Sequence, residues 1–393
     1  MGVFYHWGFG ILLMVLCSYI IAKACNLFEA STEYLGRDMN DGIKGATLNA
    51  IGSSMPEFLT TVFFLVFATP QNLGRDFAAS LGGNTGSAIF NSIAIPGLVL
   101  LVTFFVVRSV INVKISKKVI LRDGLFLIGA EILLLVLLSS DYVTHWHGWI
   151  FTGFYLIYLG YLIRSHKKSK SINKESFFKQ DLWYEKFIHS KKIKKGRRAT
   201  WLLVLAVIIL SICAAGLVEG TKLIAESIGI NPIFIALILV AAATSVPDLI
   251  ISLKDAKKGN YDDSLSNVVG SNIFDITISM GLPLAIYLLV TGQKINFIEA
   301  GSNLIDIRIF LVIITVIALA IYYFAKSLRK RHVFILMGTY IIFILYSIGA
   351  AQYNAGIETT ISNLSGAFID WLRQPGGIEE ILKCLGNKMT GNW

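Results

Sequence analysis

Two short segments in different halves of the chain place an acid directly after a proline within apolar stretches. Residues 52–60 read GSSMPEFLT and residues 243–251 read ATSVPDLII, so the acids are Glu57 and Asp248. A charge at the centre of a bilayer costs about 2.5–3.5 kcal/mol on insertion scales, which makes an acid in a membrane span a candidate functional residue. Each proline removes a backbone donor and displaces the carbonyl four residues earlier. We therefore expect kinked helices whose freed carbonyls face the same cavity as the carboxylates.

A second pair of motifs follows in the same order in each half. Residues 86–91 read GSAIFN and residues 270–275 read GSNIFD. The serine and the last residue of each motif are four positions apart, so they share one helix face. The glycine that opens each motif should let its helix approach the kinked helix closely. Pooled with the first motifs, these residues form a set of three carboxylates and one amide: Glu57, Asp248, Asp275 and Asn91.

The chemistry of this set is that of a hard-cation site. Carboxylate, amide, hydroxyl and carbonyl oxygens without His or Cys suit Ca²⁺ or Na⁺. Three negative charges could be balanced by one Ca²⁺ with one monovalent ion, or by several Na⁺. They could not all remain ionised in apolar surroundings without a cation. An empty site should therefore either be protonated or reorient only slowly between the two faces of the membrane, which is the physical basis of obligatory exchange.

The elements that must position these residues are membrane helices. The 393 residues are 55% hydrophobic and only 15% charged, whereas a soluble domain carries roughly 25% charged residues. This composition excludes a soluble enzyme, a disordered scaffold and a secreted disulfide protein. Apolar runs of about 20 residues can each cross the hydrocarbon layer. They predict an all-α integral membrane protein with ten transmembrane helices, near 8–27, 46–68, 84–107, 120–140, 146–163, 200–225, 231–253, 266–290, 306–325 and 332–351.

The charge distribution orients these spans. Residues 164–198 hold 13 Lys/Arg against three acids, which accounts for the whole net charge of +10. Because this basic segment lies between two apolar runs, it is typical of a cytoplasmic loop and gives no support to nucleic-acid binding. The other Lys/Arg-rich loops fall on the same side. The N-terminus and the tail 352–393 are therefore predicted to lie outside, with 377–385 either a short amphipathic helix or part of a disordered tail.

The repeated motifs divide the chain into two halves of opposite orientation. We expect a first five-helix half at 1–163, a basic loop at 164–199, a second five-helix half at 200–351 and the tail. Since five is odd, the second half enters the membrane from the opposite face. Such an inverted repeat is the architecture of many secondary transporters, with the site at the repeat interface.

The paired motifs resemble the two α-repeats of the cation/calcium exchanger family. Residues 244–248 (TSVPD) and 270–284 (GSNIFDITISMGLPL) look most like its potassium-dependent sodium/calcium exchanger branch. In potassium-independent animal exchangers the position of Asp275 is commonly occupied by Asn. Some microbial relatives carry the acid there without known potassium coupling, so Asp275 permits K⁺ transport without proving it. The resemblance implies the ligands Glu57, Asn91, Asp248 and Asp275, supported by Ser54, Ser87, Ser245, Ser271 and the carbonyls of Ala50 and Ala241.

The sequence also departs from a perfect repeat. Glu57 and Asn91 are 34 residues apart, whereas Asp248 and Asp275 are 27 apart. Asn267 precedes the GSNIFD motif of the second half, but its counterpart in the first half is Gly83, with Asn84 one place later. We expect these departures to affect ion selectivity and stoichiometry more than the fold.

The sequence therefore predicts a multi-pass antiporter that exchanges Ca²⁺ for Na⁺, with K⁺ co-transport left open. The resemblance implies that spans one and six slide across the core to switch access. The alternatives are a proton-coupled divalent cation exchanger and a cation channel; no enzyme activity, cofactor or nucleic-acid partner is expected. The compact chain, without a calcium-sensing insertion, points to a prokaryotic plasma membrane. Oligomeric state and the choice between Ca²⁺ and other divalent cations stay open.

Overall fold

The protein is almost entirely helical. The computed structural model describes residues 2–35, 50–107, 112–166, 195–257, 259–296, 305–374 and 376–390. Most of the predicted basic loop, residues 167–194, lies outside these ranges. Among the described residues the strands are β1 (Tyr142–Val143) and β2 (Ile295–Asn296), which pair antiparallel with Tyr142 opposite Asn296.

The first half consists, over its described ranges, of seven α-helices and two π-helical segments. The α-helices are α1 (Gly2–Leu35), α2 (Ala50–Ser53), α3 (Met55–Val66), α4 (Leu73–Ile89), α5 (Ile95–Leu101), α6 (Lys117–Leu137) and α7 (His145–His166). The π-helical segments are Phe90–Ala94, which joins α4 to α5, and Val102–Val107, which continues α5.

The second half consists, over its described ranges, of eight α-helices and two π-helical segments. It contains α8 (Lys195–Ile228), α9 (Pro232–Ile235), α10 (Ala241–Thr244), α11 (Val246–Lys257), α12 (Tyr261–Phe274), α13 (Met280–Thr291), α14 (Ile305–Phe324) and α15 (Lys330–Asn354). The π-helical segments Ala236–Val240 and Asp275–Ser279 join α9 to α10 and α12 to α13.

Several helices have the length and apolarity of membrane spans. Among the described residues, six qualify by these two measures: Trp7–Thr32, Leu73–Val106, Gly196–Ile228, Tyr261–Thr291, Ile305–Phe324 and Lys330–Asn354. The bent pair Pro232–Thr244 and Val246–Lys257 is a seventh. Met55–Val66 is apolar but shorter. Helices α6 and α7 coincide with the predicted spans 120–140 and 146–163 without meeting these measures. The chain is a multi-pass membrane protein, and the full count of ten spans stays a prediction.

The proline-containing helices break where the sequence predicts kinks. Ser54 (φ −95°, ψ 7°) separates α2 from α3, and Ser245 (φ −80°, ψ 0°) separates α10 from α11. The second break bends the helix axis by 42°. Each proline then lies in the first turn of the following helix, where a missing backbone donor costs little. The acid follows it immediately.

Helices α1 and α8 pack against each other along their length. A Cβ added at Gly10 would lie 3.1 Å from the Gly220 carbonyl oxygen, and one added at Gly220 would lie 3.2 Å from that of Gly10. One added at Gly216 would lie 2.7 Å from the Cys17 sulfur. Small residues therefore set the spacing of this pair, as at many helix contacts in membranes.

The C-terminal tail forms two further helices. They are α16 (Thr360–Leu372) and α17 (Ile378–Thr390), so the helix predicted at 377–385 is confirmed and the alternative of a disordered tail is wrong for these ranges. Helix α16 packs on α15 and α17 on α6. Lys383 forms a 2.6 Å ion pair with Asp141 in the turn between α6 and α7. The tail is thus attached to the helical body.

Candidate cation site

Three acids from the two halves converge in the interior. One carboxylate oxygen each of Glu57, Asp248 and Asp275 lies within 4.8 Å of the others. All three side chains are buried, with at most 1% of their surface exposed. Glu57 and Asp248 are supplied by α3 and α11 just beyond the helix breaks. Asp275 begins the π-helical segment after α12.

Ser54 of the first half is connected to Asp248 of the second half through Ser271. Ser54 Oγ and Ser271 Oγ are 2.6 Å apart, and Ser271 Oγ donates to Asp248 Oδ2 at 2.7 Å. Because Ser54 marks the break between α2 and α3, its hydroxyl faces the second half rather than its own helix. The two halves therefore meet at this hydrogen bond.

The mirror contact runs in the opposite direction. Ser245 Oγ, at the break of the second half, lies 2.8 Å from Ser87 Oγ in the first. Ser87 is within hydrogen-bond reach of Glu57 Oε1 at 3.2 Å and of Asp275 Oδ2 at 3.5 Å. The four predicted serines are thus brought together as two crossed pairs around the carboxylates.

Two amides hold Asp248. Asn91 Nδ2 donates to Asp248 Oδ2 at 3.1 Å, and Asn267 Nδ2 donates to Asp248 Oδ1 at 3.3 Å. Both oxygens of Asp248 therefore accept hydrogen bonds from protein groups. The sequence predicted the position of Asn91 in the site and gave no role to Asn267.

Three oxygens of the site lack a hydrogen-bond partner among the described residues. They are Glu57 Oε2, Asn91 Oδ1 and Asp275 Oδ1, all buried. A buried acceptor without a partner costs roughly 1–3 kcal/mol, and more when it is charged. An oxygen-coordinated cation would satisfy all three, so this donor set fits a hard cation.

The two predicted carbonyl ligands are helical backbone groups. The Ala241 carbonyl accepts the Ser245 N–H at 3.1 Å and the Thr244 hydroxyl at 3.3 Å. Ala50 begins α2. Ala241 is thus occupied by protein donors here, and ligation by either carbonyl stays a prediction.

Widened helical turns accompany the site. Asn91 lies in the segment Phe90–Ala94 and Asp275 opens the segment Asp275–Ser279, both π-helical. A π-turn inserts one residue into an α-helix and is frequent at functional sites. The two segments occupy equivalent places in the repeat, although nothing in the residue spacing indicated them.

The glycines of the second motifs behave differently. A Cβ at Gly86 would lie 2.0 Å from the Leu237 carbonyl oxygen, which confirms the predicted close approach of α4 to the kinked helix. A Cβ at Gly270 would meet no atom within 4 Å in the described part of the chain. The contact is therefore established for the first half alone.

Other buried polar groups stand apart from the three acids. Glu131 of α6 is buried and accepts a hydrogen bond from Thr315 at 2.6 Å. Arg122, on the same helix, pairs with Asp123 at 2.7 Å. Glu131 therefore supplies an equally buried acid for comparison with the site.

A small cavity adjoins the site beside α1. Its volume is about 10 Å³, room for roughly one water molecule. It is lined by Ala22, Cys25, Asn26, Gly52, Ser53, Pro247, Ile250 and Ile251. The Lys254 ammonium donates to Asn26 Oδ1 at 3.2 Å. The cavity thus lies between α1 and the two proline-broken helices.

Comparisons with known proteins agree with this architecture. Sodium/potassium/calcium exchanger 2 of Gallus gallus is 32% identical over 125 residues, which are 32% of this chain but only 19% of that relative. The putative antiporter CaxA of Alkalimonas amylolytica is 28% identical over 67% of this chain and 76% of its own length. An uncharacterized membrane protein of Methanocaldococcus jannaschii is 26% identical over 81% of this chain and 89% of its own.

Solved structures share the fold. The H⁺/Ca²⁺ exchanger CAX superposes with a TM-score of 0.66 at 15% identity, covering 98% of this chain and 91% of that chain. The sodium-calcium exchanger NCX_Mj gives 0.53 at 22% identity, covering 86% and 97%. The family model described as sodium/calcium exchanger protein matches residues 9–164 and 198–349, so the match omits the basic loop and the C-terminal helices. The chain belongs to the sodium/calcium exchanger protein family.

Proposed function

We propose that the protein is an antiporter that exchanges Ca²⁺ for Na⁺ by alternating access at the three-carboxylate site. The observation that carries this proposal is the meeting of Glu57, Asp248 and Asp275, from both halves, in one buried cluster of oxygens. Oxygen donors of this kind bind Ca²⁺ and Na⁺.

Charge balance makes exchange, rather than free flux, the expected behaviour. Three carboxylates within 4.8 Å repel one another strongly in apolar surroundings. The site therefore changes sides only when cations or protons neutralise it. A channel usually surrounds one axis with identical subunits or repeats, which an inverted repeat fits poorly, so a channel is the weaker alternative.

Proton coupling is the second candidate. The unpartnered oxygens of Glu57 and Asp275 would accept protons as readily in principle as they accept a metal ion. A proton-coupled exchanger of divalent cations would use the same acids. The two modes differ in which gradient drives uptake.

We also propose the ten-span topology of two inverted halves, 1–163 and 200–351, with both termini outside. The crossed serine pairs support the repeat, because equivalent residues of the two halves exchange partners. Contacts between loops support the alternation of the loops between the two membrane faces. Strand β1 pairs with β2, and Val113 bridges to Leu328. Each contact joins two loops that the topology puts on the same face. Helices α1 and α8 would slide together across the remaining helices to switch access.

The decisive experiment measures ⁴⁵Ca²⁺ uptake into proteoliposomes loaded with Na⁺, with external K⁺ present or absent. Wild type is compared with Asp275→Asn and with Glu131→Gln, which alters an equally buried acid outside the site. We expect Na⁺-driven uptake in wild type and Glu131→Gln. A K⁺ requirement that Asp275→Asn removes would add K⁺ co-transport.

The other outcomes are equally informative. Na⁺-driven uptake that ignores K⁺ would leave a plain sodium/calcium exchanger. Uptake driven by a pH gradient in Na⁺-free medium would establish the proton-coupled alternative. A folded preparation in which neither gradient drives uptake would refute Ca²⁺ antiport.

A further inference from the structure

Glu57 and Asp248 occupy equivalent positions in the repeat but differ in their contacts. Asp248 accepts hydrogen bonds at both oxygens, from Ser271 and Asn91 at Oδ2 and from Asn267 at Oδ1. Glu57 has a buried oxygen, Oε2, without a partner in the described part of the chain. One acid is therefore fixed by donors on both sides, whereas the other keeps a free oxygen.

The difference arises at Asn267, one helical turn before Ser271. Asn267, Ser271 and Asp275 follow one another at intervals of four, so they share one face of α12 and its π-helical continuation. From this face Asn267 Nδ2 reaches Asp248 Oδ1 at 3.3 Å and lies 3.5 Å from Ser252 Oγ. Asn267 thus donates to the oxygen that Ser271 and Asn91 leave free, beside a further hydrogen bond to Asp248 from the Ser53 hydroxyl.

The first half has glycine in place of this donor. The corresponding face carries Gly83, Ser87 and Asn91, and glycine has no side chain to offer Glu57. The nearest amide, Asn84, is one position further along and turns away: its Nδ2 donates to Thr61 Oγ1 at 2.9 Å and to its own helix. A shift of one residue along a helix, about 100°, accounts for the different target.

We infer that Asn267 is a positioning residue that holds the Asp248 carboxylate in its ion-binding orientation. A carboxylate that is hydrogen-bonded at both oxygens cannot rotate about its terminal bond. Binding of a cation therefore costs less conformational entropy. Asp248 is then the fixed ligand of the site, and Glu57 is the one that adapts to the ion. This inference rests on the proposed function, because the ion in question is the transported cation.

The test compares Asn267→Ala with Asn84→Ala. Both remove an amide that bonds to a polar group of a neighbouring helix, but only Asn267 contacts a carboxylate. We expect Asn267→Ala to raise the KM for Ca²⁺ about tenfold, the typical effect of losing a hydrogen bond to a charged group, with Vmax within about twofold of wild type. We expect Asn84→Ala to lower the melting temperature and leave KM unchanged.

A second measurement separates this inference from the proposed function. Purified wild type and both variants are titrated with Ca²⁺, Na⁺, Mg²⁺ and Mn²⁺, and the cation concentration that gives half of the thermal stabilisation is recorded. For whichever cation stabilises wild type most, Asn267→Ala should need about tenfold more. If Asn267→Ala does not fold, Asn267→Ser keeps a shorter polar side chain and should show the same shift.

Two results would overturn the inference while leaving the proposed function intact. One is a wild-type cation response in Asn267→Ala with only a lower melting temperature. The other is an equal rise in KM in both alanine variants, which would mark a general packing defect. A wild type that no cation stabilises would overturn both, since a carboxylate that binds nothing needs no positioning.

Discussion

Among the glycines in the described part of the chain, Gly86 is the one at which an added Cβ would come closest to another atom, and that atom belongs to the other half. A Cβ at this position would lie 2.0 Å from the Leu237 carbonyl oxygen and 2.8 Å from Ala241 Cβ. Real Cβ atoms keep at least about 3.0 Å from such atoms, so Gly86→Ala must separate α4 from Leu237 by roughly 1 Å. The obstacle is backbone, and no side-chain rotation relieves it.

The same displacement reaches the site through the next residue. Ser87 bonds Ser245 at 2.8 Å and Glu57 at 3.2 Å, and a shift of roughly 1 Å would bring these distances near or beyond hydrogen-bond range. Overpacking of this kind costs about 1–3 kcal/mol, and a misplacement of roughly 1 Å at a reacting site can cost about a hundredfold in rate. We expect Gly86→Ala to lose at least about tenfold in Ca²⁺ uptake and to melt at a lower temperature.

Gly83→Ala is the matched control. It lies one turn away on α4 and faces the same π-helical segment, but its Cβ would meet Val240 Cγ1 at an ordinary 3.6 Å. Because alanine favours a helix over glycine by about 1 kcal/mol, this variant should be as stable as wild type or more so. Uptake and melting are measured in one preparation of each variant. Equal uptake and equal melting temperatures in the two variants would refute the reasoning.

Two further contacts away from the three acids make predictions. Lys222 of α8 pairs with the buried Asp76 of α4 at 2.9 Å. Lys222→Gln should therefore lower stability by about 1–3 kcal/mol in thermal unfolding. Adding Asp76→Asn should recover most of the loss, and a double variant no more stable than the single one would contradict this. Partial burial alone would raise the pKa of Asp141, but hydrogen bonds from Lys383 and a neighbouring amide hold it below its usual 3.8. The docking of α17 should be tightest at neutral pH and weaken as the pH falls below about 4, because protonation removes the pair. Fluorescence anisotropy of a probe attached to the exposed Cys384 reports whether α17 is docked, and Asp141→Asn should remove the pH dependence of this signal.

The convergence of the acids could be predicted because each motif carries its own local geometry. A proline directly before Glu57 or Asp248 dictates a break, and a spacing of four places Ser87 with Asn91 on one face. These rules act within a few residues of the chain. They indicate which residues meet at the site even though the two halves are far apart in sequence.

The contacts that depend on helix rotation could not be predicted in this way. Asn84 and Asn267 look like misaligned counterparts, yet one bonds to Thr61 and the other to Asp248, because a shift of one position changes the direction of the side chain. The π-helical segments also rotate the helices that continue from them, and no residue type marks these segments. The spacing of Asn267, Ser271 and Asp275 did contain the signal for the additional donor.

The crossed serine pairs have a consequence for how the protein is made. The serines with which Ser54 and Ser87 of the first half pair, Ser271 and Ser245, both belong to the second half. A nascent chain that has inserted its first half alone thus holds Glu57 without the carboxylates of Asp248 and Asp275. Because the three carboxylates come from both halves, a chain that stops after the first half cannot form this cluster.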